Sequence, residues 1–423
     1  MEIYIVRPGD TLSSIARAYG TSVQKLAFDN GVEDGRLAVG QALIILIPDS
    51  VYTVRPGDTL FSIADSFGVS VNELFRNNPY LASSPLSAGQ SIVISYTQRP
   101  STVKRINGYA YPFISIPLLR RTLPFLSTLT IFGYGFTDSG ELLAPEDDEL
   151  LAVADEFGVA PVLLLSSIIE NGNFSSERAS LLFNDLAVQN TVLQNIVNVM
   201  REKGYRGFDI DFEYVAEADK EAFIAFIANS VEIMHANGFF VNVDLAPKAS
   251  ADQRGLLYAA HDYPRIGALA DTVFLMTYEW GYTFGPPLAV APINQVERIV
   301  NYAVSEIPLE KILLGIPNYG YIWSLPFEKG ISRAVTVGNQ FAASLAASEN
   351  AEILFDEASA SPYFYYFSDG SDRVAWFEDV RSISAKFDLV RNFALRGFGY
   401  WNIMRPFAGN LALLSVNFVP ERI

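Results

Sequence analysis

The sequence predicts an α/β protein. Two small β-α-α-β modules precede an eight-fold β/α barrel that carries a small α+β insertion. Three observations lead there. A stretch near the N-terminus returns once, 48 residues later. From about residue 105, eight apolar strand-like runs alternate with helical runs. One of those runs, "GFDIDFEY" at 207–214, places an acid at every second position.

The repeat pairs "YIVRPGDTLSSIARAYGTSVQKLAFDN" (4–30) with "YTVRPGDTLFSIADSFGVSVNELFRNN" (52–78), and "VGQALIIL" (39–46) with "AGQSIVIS" (88–95). In each copy a short Tyr-x-Val strand enters a Pro-Gly-Asp turn. Thr11 or Thr59 then caps a helix whose apolar face carries Leu12, Ile15 and Ala16, or Leu60, Ile63 and Ala64. A second short helix ends at Asn30 or Asn78, and a strand closes the unit. The boundaries read as 1–48 and 49–96, with a Pro/Ser/Thr-containing linker at 97–104. These copies resemble LysM modules, on the "VRPGDTLxSIA" stretch. The resemblance implies binding of N-acetylglucosamine-containing glycans, peptidoglycan or chitin. It places the groove at Gly9, Asp10, Thr11 and Asn30, and at Gly57, Asp58, Thr59 and Asn78. Two modules in tandem would raise affinity through effective concentration.

The eight candidate strands are 105–111, 129–136, 160–167, 207–214, 239–246, 271–278, 311–317 and 396–402. Amphipathic runs such as 146–158 and 220–238 lie between them, so residues 105–423 fit a TIM barrel. The stretch 321–385, with "YFYYFSDGSDRVAWFED", reads as a β-rich insertion between the last two strands. Active sites of such barrels lie at the C-terminal strand ends. That rule gathers Glu213, Tyr278 and Trp401 at one mouth.

A strand points alternate side chains to one face, so Asp209, Asp211 and Glu213 share a face roughly 6.5–7 Å apart. Like charges at that spacing raise one another's pKa, so an acid can stay protonated near neutral pH. Pattern alone also allows a solvated strand face or a three-carboxylate metal site. Composition narrows the field. Net charge is −17, which argues against nucleic acid or an anionic membrane surface as partner. With no cysteine and two histidines, a thiolate or zinc site and a Ser-His-Asp triad have little support. His235 and His261 read as structural or surface residues. No apolar run approaches the roughly 18 residues of a membrane span. The N-terminus "MEIYIVRPGD" has no signal-peptide pattern.

The barrel resembles glycoside hydrolase family 18. "RGFDIDFE" (206–213) matches the family's D-G-x-D-x-D-x-E except that Arg206 replaces the first Asp. "MTYE" (276–279) resembles M-x-Y-D with Glu279 for Asp, and "GYWN" (399–402) carries the strand-eight Trp. The family's S-x-G-G is only loosely echoed at 166–172. The resemblance implies a retaining, substrate-assisted hydrolysis with no cofactor and no metal. Glu213 is then the acid and later the base. Asp211 holds the acetamido N–H, Asp209 supports Asp211, and Tyr278 holds the acetamido oxygen. Trp401 is the sugar floor, with Glu279, Tyr109 and Met276 as further substrate contacts. Two LysM modules ahead of this hydrolase resemble the architecture of bacterial spore-cortex-lytic N-acetylglucosaminidases. That implies peptidoglycan as substrate, cut after N-acetylglucosamine. A chitinase is the alternative, as is a glycan-binding protein without activity, although the latter would be expected to lack Glu213 or Asp211.

Overall fold

A computed structural model describes residues 1–169 and 174–423. Each N-terminal module is a two-stranded antiparallel ribbon crossed by two short helices. The first pairs Glu2–Ile5 with Ala42–Ile45, and the second pairs Pro48–Thr53 with Ser91–Tyr96. The helices are Leu12–Tyr19 and Val23–Asn30, then Leu60–Phe67 and Val71–Asn77. The threonine caps form as the sequence predicts. Thr11 and Ser14 exchange side chain-to-backbone hydrogen bonds in a capping box, and so do Thr59 and Ser62. Gly20 and Gly68 end these helices in the left-handed region, at φ 66° and 65°.

Eight parallel strands close into the barrel: β1 Thr102–Ala110, β2 Thr128–Phe136, β3 Ala160–Ser166, β4 Gly207–Asp211, β5 Phe240–Leu245, β6 Thr272–Leu275, β7 Ile312–Pro317 and β8 Gly397–Trp401. Each pairs with its neighbours in sequence, and β8 returns to β1. Outward residues such as Ile131, Leu163, Phe208, Ile210 and Val243 are buried against the helical ring. The interior is partly polar. Asn107 on β1 accepts from Thr128 (2.8 Å) and Thr130 (3.1 Å) on β2.

Three boundaries differ from the sequence reading. Strand β1 begins at Thr102, inside the expected linker, because the C-terminal strand Phe418–Pro420 pairs with its first residues. Strand β4 ends at Asp211, so Glu213 stands just past the strand, at the barrel mouth. The insertion is a five-stranded antiparallel sheet spanning Gly320 to Trp376 with one helix, Asn339–Ser348. The helix Val380–Asn392 at its expected end belongs to the barrel ring instead, since Ile383, Phe387 and Val390 join the main core.

The modules are fixed against the barrel and its insertion. The first touches the insertion through Ile353 N–H donating to the Val39 carbonyl at 2.8 Å. A Cβ on Gly40 would lie 1.9 Å from the Ile353 oxygen, so only glycine permits this approach. The modules meet where Lys25 donates to Asp29 (2.7 Å) and to the Tyr96 hydroxyl (2.8 Å). The second packs Phe75 on Phe157 of the barrel, with ring centroids 5.4 Å apart.

Candidate active site

A cleft of about 750 Å³ opens at the C-terminal strand ends. Asp211, Glu213, Met276, Tyr278, Glu279 and Trp401 all line it, so the barrel brings these expected residues together. Trp401, at the end of β8, packs edge-on against Phe132 at 5.4 Å and Tyr111 at 6.0 Å. Phe113 stacks on Tyr111 and is largely exposed, which extends an aromatic wall out of the cleft.

The first departure from the family motif has no bearing on this cleft. Arg206 is exposed at the entry end of β4, where its backbone N–H pairs with Pro161 O. A Cβ on Gly207 would lie 2.3 Å from the Phe240 ring, so any larger residue there would require that ring to move. Residues 170–172 of the loose S-x-G-G echo lie outside the described residues. Ser166 at its start ends β3 in register with Asp211.

Burial dominates the acids. Asp209 is fully buried, and desolvation lifts its pKa to about 6 despite donors from Asn242 and Tyr109. Asp211 is pushed well above the usual carboxylate range by burial, then by the charges of Glu213 and Asp209. Among the described residues its Oδ1 has no hydrogen-bond partner. Glu213 is lifted to about 7 by burial and then by the Glu279 carboxylate. A carboxyl half-protonated near neutral pH suits a group that must donate a proton and then take one back. Among the described residues no group of three His, Cys, Asp or Glu side chains is arranged to hold a metal ion.

Glu279 sits in the left-handed region at φ 68°, a conformation that costs a non-glycine residue about 1–3 kcal/mol. Tyr319, one residue before the insertion, and Tyr321, on its first strand, hold it there. The hydroxyls of Tyr319 and Tyr321 both donate to its Oε1 at 3.1 Å. The insertion therefore contributes to the site, a role the sequence did not reveal. His261 is structural. It is fully buried and kept neutral, its pKa pressed down to about 4 by desolvation. Its Nδ1 accepts from Ala246 N–H (3.0 Å), and its Nε2 lies 3.2 Å from the Phe212 carbonyl. It thereby ties the end of β5 to the segment that carries Glu213.

Three expectations need correction. Tyr109, expected to touch substrate, is 1% exposed and does not line the cleft. Its hydroxyl turns inward, 2.8 Å from Asp244 and 3.1 Å from Asp209. Asn30 and Asn78, expected in the glycan grooves, use their amides internally. Asn78 Nδ2 donates to Leu74 O (2.9 Å) and Val93 O (2.7 Å), while its Oδ1 accepts from Val93 N–H (2.8 Å). Asn30 makes the same set with Leu26 and Ile44. Each clamps the second helix to the closing strand. Asp10 and Asp58 likewise close their turns, accepting from Tyr4 and the Arg7 N–H, or Tyr52 and the Arg55 N–H. Gly9 and Gly57 have open space where a Cβ would stand, at φ 86° and 91°, which leaves the turn backbone accessible.

The family model for glycosyl hydrolases family 18 matches residues 167–405. The chain belongs to that family. It is accordingly a glycosidase, and LysM domains match at residues 4–46 and 52–95. Along its length the chain is similar to the cortical fragment-lytic enzyme of Bacillus subtilis (strain 168), with 38% identity over 99% of this chain and 98% of the relative. Among solved structures, the spore cortex-lytic enzyme SleL of Bacillus megaterium QM B1551 superposes with a TM-score of 0.83 at 36% identity, covering 100% of this chain and 99% of that one. SleL of Bacillus cereus gives the same TM-score at 34% identity, covering 100% of this chain and 98% of that one.

Proposed function

We propose that the protein is a peptidoglycan hydrolase of the bacterial spore. It cuts the β-1,4 bond after N-acetylglucosamine in cortex peptidoglycan or its fragments, with retention and substrate assistance. The observation that carries this reading is the buried acid row, ending in Glu213 with its pKa at about 7 beside an aromatic cleft. Full-length similarity to the cortical fragment-lytic enzyme supports the polymer.

In the first step Glu213 donates its proton to the leaving oxygen while the sugar's acetamido oxygen attacks the anomeric carbon. Asp211 accepts from the acetamido N–H and faces the positive oxazolinium ion. Tyr278 donates to the acetamido oxygen, and Trp401 supports the distorted ring. Glu213, now ionised, deprotonates the water that opens the oxazolinium. The sugar before the cut must therefore carry a free acetamido group. Muramic lactam, whose nitrogen is tied into a ring, does not qualify. The LysM turns at Gly9–Thr11 and Gly57–Thr59 hold neighbouring glycan through their open backbone, and the docked modules keep those turns at a set offset from the cleft. Net charge −17 leaves nucleic acid outside its partners. No helix among the described residues is long and apolar enough to cross a membrane.

Proton NMR of the first product formed from soluble cortex fragments tests the stereochemistry. The β-anomer is expected before mutarotation, and an initial α-anomer would rule out the double displacement.

A further inference from the structure

The two modules and the barrel leave a space where they meet. It is a cavity of about 340 Å³ that shares no lining residue with the catalytic cleft. Three units supply its walls. Phe28 and Val32 come from the first module and Pro79 from the second. Leu118 and Leu411 come from the barrel helices Ile116–Thr122 and Ala408–Asn417. The lining is mainly apolar.

Arg76 stands in this lining, in the last turn of the helix Val71–Asn77, and is 8% exposed. Among the described residues its guanidinium has no hydrogen-bond or ion-pair partner. Its nitrogens are not walled off by protein, as the Nε atoms of Arg373 and Arg396 are, so the little exposure that remains reaches the charged end. Burial, opposed by the Glu73 carboxylate one turn earlier and reinforced by Arg422, lowers its pKa to about 10. The acids of the cavity wall are engaged elsewhere. Asp29 accepts from Lys25 at 2.7 Å, and Glu33 from Gln340 at 3.3 Å. Arg121 and Arg405 also border the cavity, but Arg121 is exposed and donates to Ser83 at 2.9 Å, and Arg405 is partly exposed to water. A buried charge is costly unless it is paired, so Arg76 stands ready for an anion that the protein does not supply.

We propose that this cavity binds a small organic monoanion, a carboxylate on an apolar body, with the carboxylate on Arg76. The planar guanidinium fork takes a carboxylate through two parallel hydrogen bonds. A dianion such as phosphate would bring further negative charge up to Asp29 and Glu33. A sugar would leave the guanidinium unpaired and set its hydroxyls against apolar walls. The volume falls within the range of small-molecule sites, which join apolar walls to a few polar groups. Aromatic and aliphatic acids share this chemistry. Because the walls come from three units, the occupant touches both modules and the barrel and stabilises their docking. The site is independent of the reaction assigned to the cleft.

The test is calorimetric titration of the full chain at pH 7 with 2-naphthoate and with octanoate. Each acid has its amide as an uncharged control, and inorganic phosphate is the dianion. One site per chain is expected for at least one acid, and the acid that binds identifies the body as aromatic or aliphatic. Its amide and phosphate should bind about tenfold more weakly or worse, and so should the acid to Arg76→Met. Leu411→Trp fills the cavity, leaves Arg76 in place and should abolish binding. Arg76→Met also reports without ligand. It removes an unpartnered buried charge and keeps the packed stem, so it should melt no lower than the wild type. A lower melting temperature would show that Arg76 already has a partner within the protein, and would overturn the proposal. So would failure of both acids to bind at millimolar concentration, an amide or phosphate that binds as tightly as the acid, or undiminished binding by Arg76→Met. Should Arg76→Met not fold, Leu411→Trp decides, and binding retained there overturns the site.

Discussion

Glu279→Gln isolates a single charge beside the general acid. Glu213 reaches about 7 through two causes, burial first and the Glu279 carboxylate second. The substitution removes only the second and keeps an oxygen for Tyr319 and Tyr321 to donate to. A neighbouring unit charge at an effective dielectric of 20–40 is worth roughly 1–2 kcal/mol, or on the order of 0.7–1.5 pH units. The sign is fixed by the role. Glu213 must be protonated to act, and losing a neighbouring negative charge makes its ionised form easier to reach. The alkaline limb of kcat/KM should therefore move to lower pH by about that amount, with little change on the acidic side. The assay is release of an aryl group from a β-chitobioside between pH 5 and 9, comparing wild type and variant. A limb that stays in place, or moves to higher pH, would refute the electrostatic link between Glu279 and the acid.

Further outcomes follow from the same geometry. Glu213→Gln should lower kcat by about 10²–10⁴ while circular dichroism stays that of the wild type and the melting temperature does not fall. The raised carboxyls also set a pH dependence of stability. A group with a raised folded pKa stabilises the fold fully below its unfolded pKa and loses that contribution as pH climbs through the folded value. Asp211→Asn should therefore melt higher than wild type at pH 8, by about 1 kcal/mol or more, with the difference shrinking toward pH 4.5. Gly40→Val drives a side chain into the Ile353 carbonyl and should cost about 1–3 kcal/mol in thermal unfolding. Asn78→Ala strips partners from three backbone groups of the second module and should cost about 2–3 kcal/mol by urea unfolding.

Much of the site was legible because strand periodicity is exact at two residues. Asp209, Asp211 and Glu213 announce a shared face from spacing alone, and the barrel rule then places Tyr278 and Trp401 beside them. The modules were legible because the same turn, cap and helix chemistry occurs twice. What the sequence hid depends on contacts between distant segments. Asp244 reads as one alternate polar residue in "FFVNVDLA", and only barrel closure sets it across Tyr109 from Asp209. Tyr109 has the residue type of a sugar contact, but its direction is decided by carboxyls on β4 and β5. Tyr319 and Tyr321 look like ordinary strand aromatics until the insertion folds back on Glu279. Asn30 and Asn78 were misread for a related reason. A polar residue ending a helix can serve a ligand or its own backbone, and the closing strand that claims it lies 14 or 15 residues away.

The most direct measurement is mass spectrometry of the reducing ends released from purified spore-cortex peptidoglycan fragments by wild type and by Glu213→Gln. New ends in N-acetylglucosamine from the wild type alone are expected. New ends in muramic acid derivatives would contradict the bond assigned, and cleavage that persists in Glu213→Gln would contradict the acid assigned to it, whereas release of chitobiose from chitin with no cortex cleavage would make the protein a chitinase.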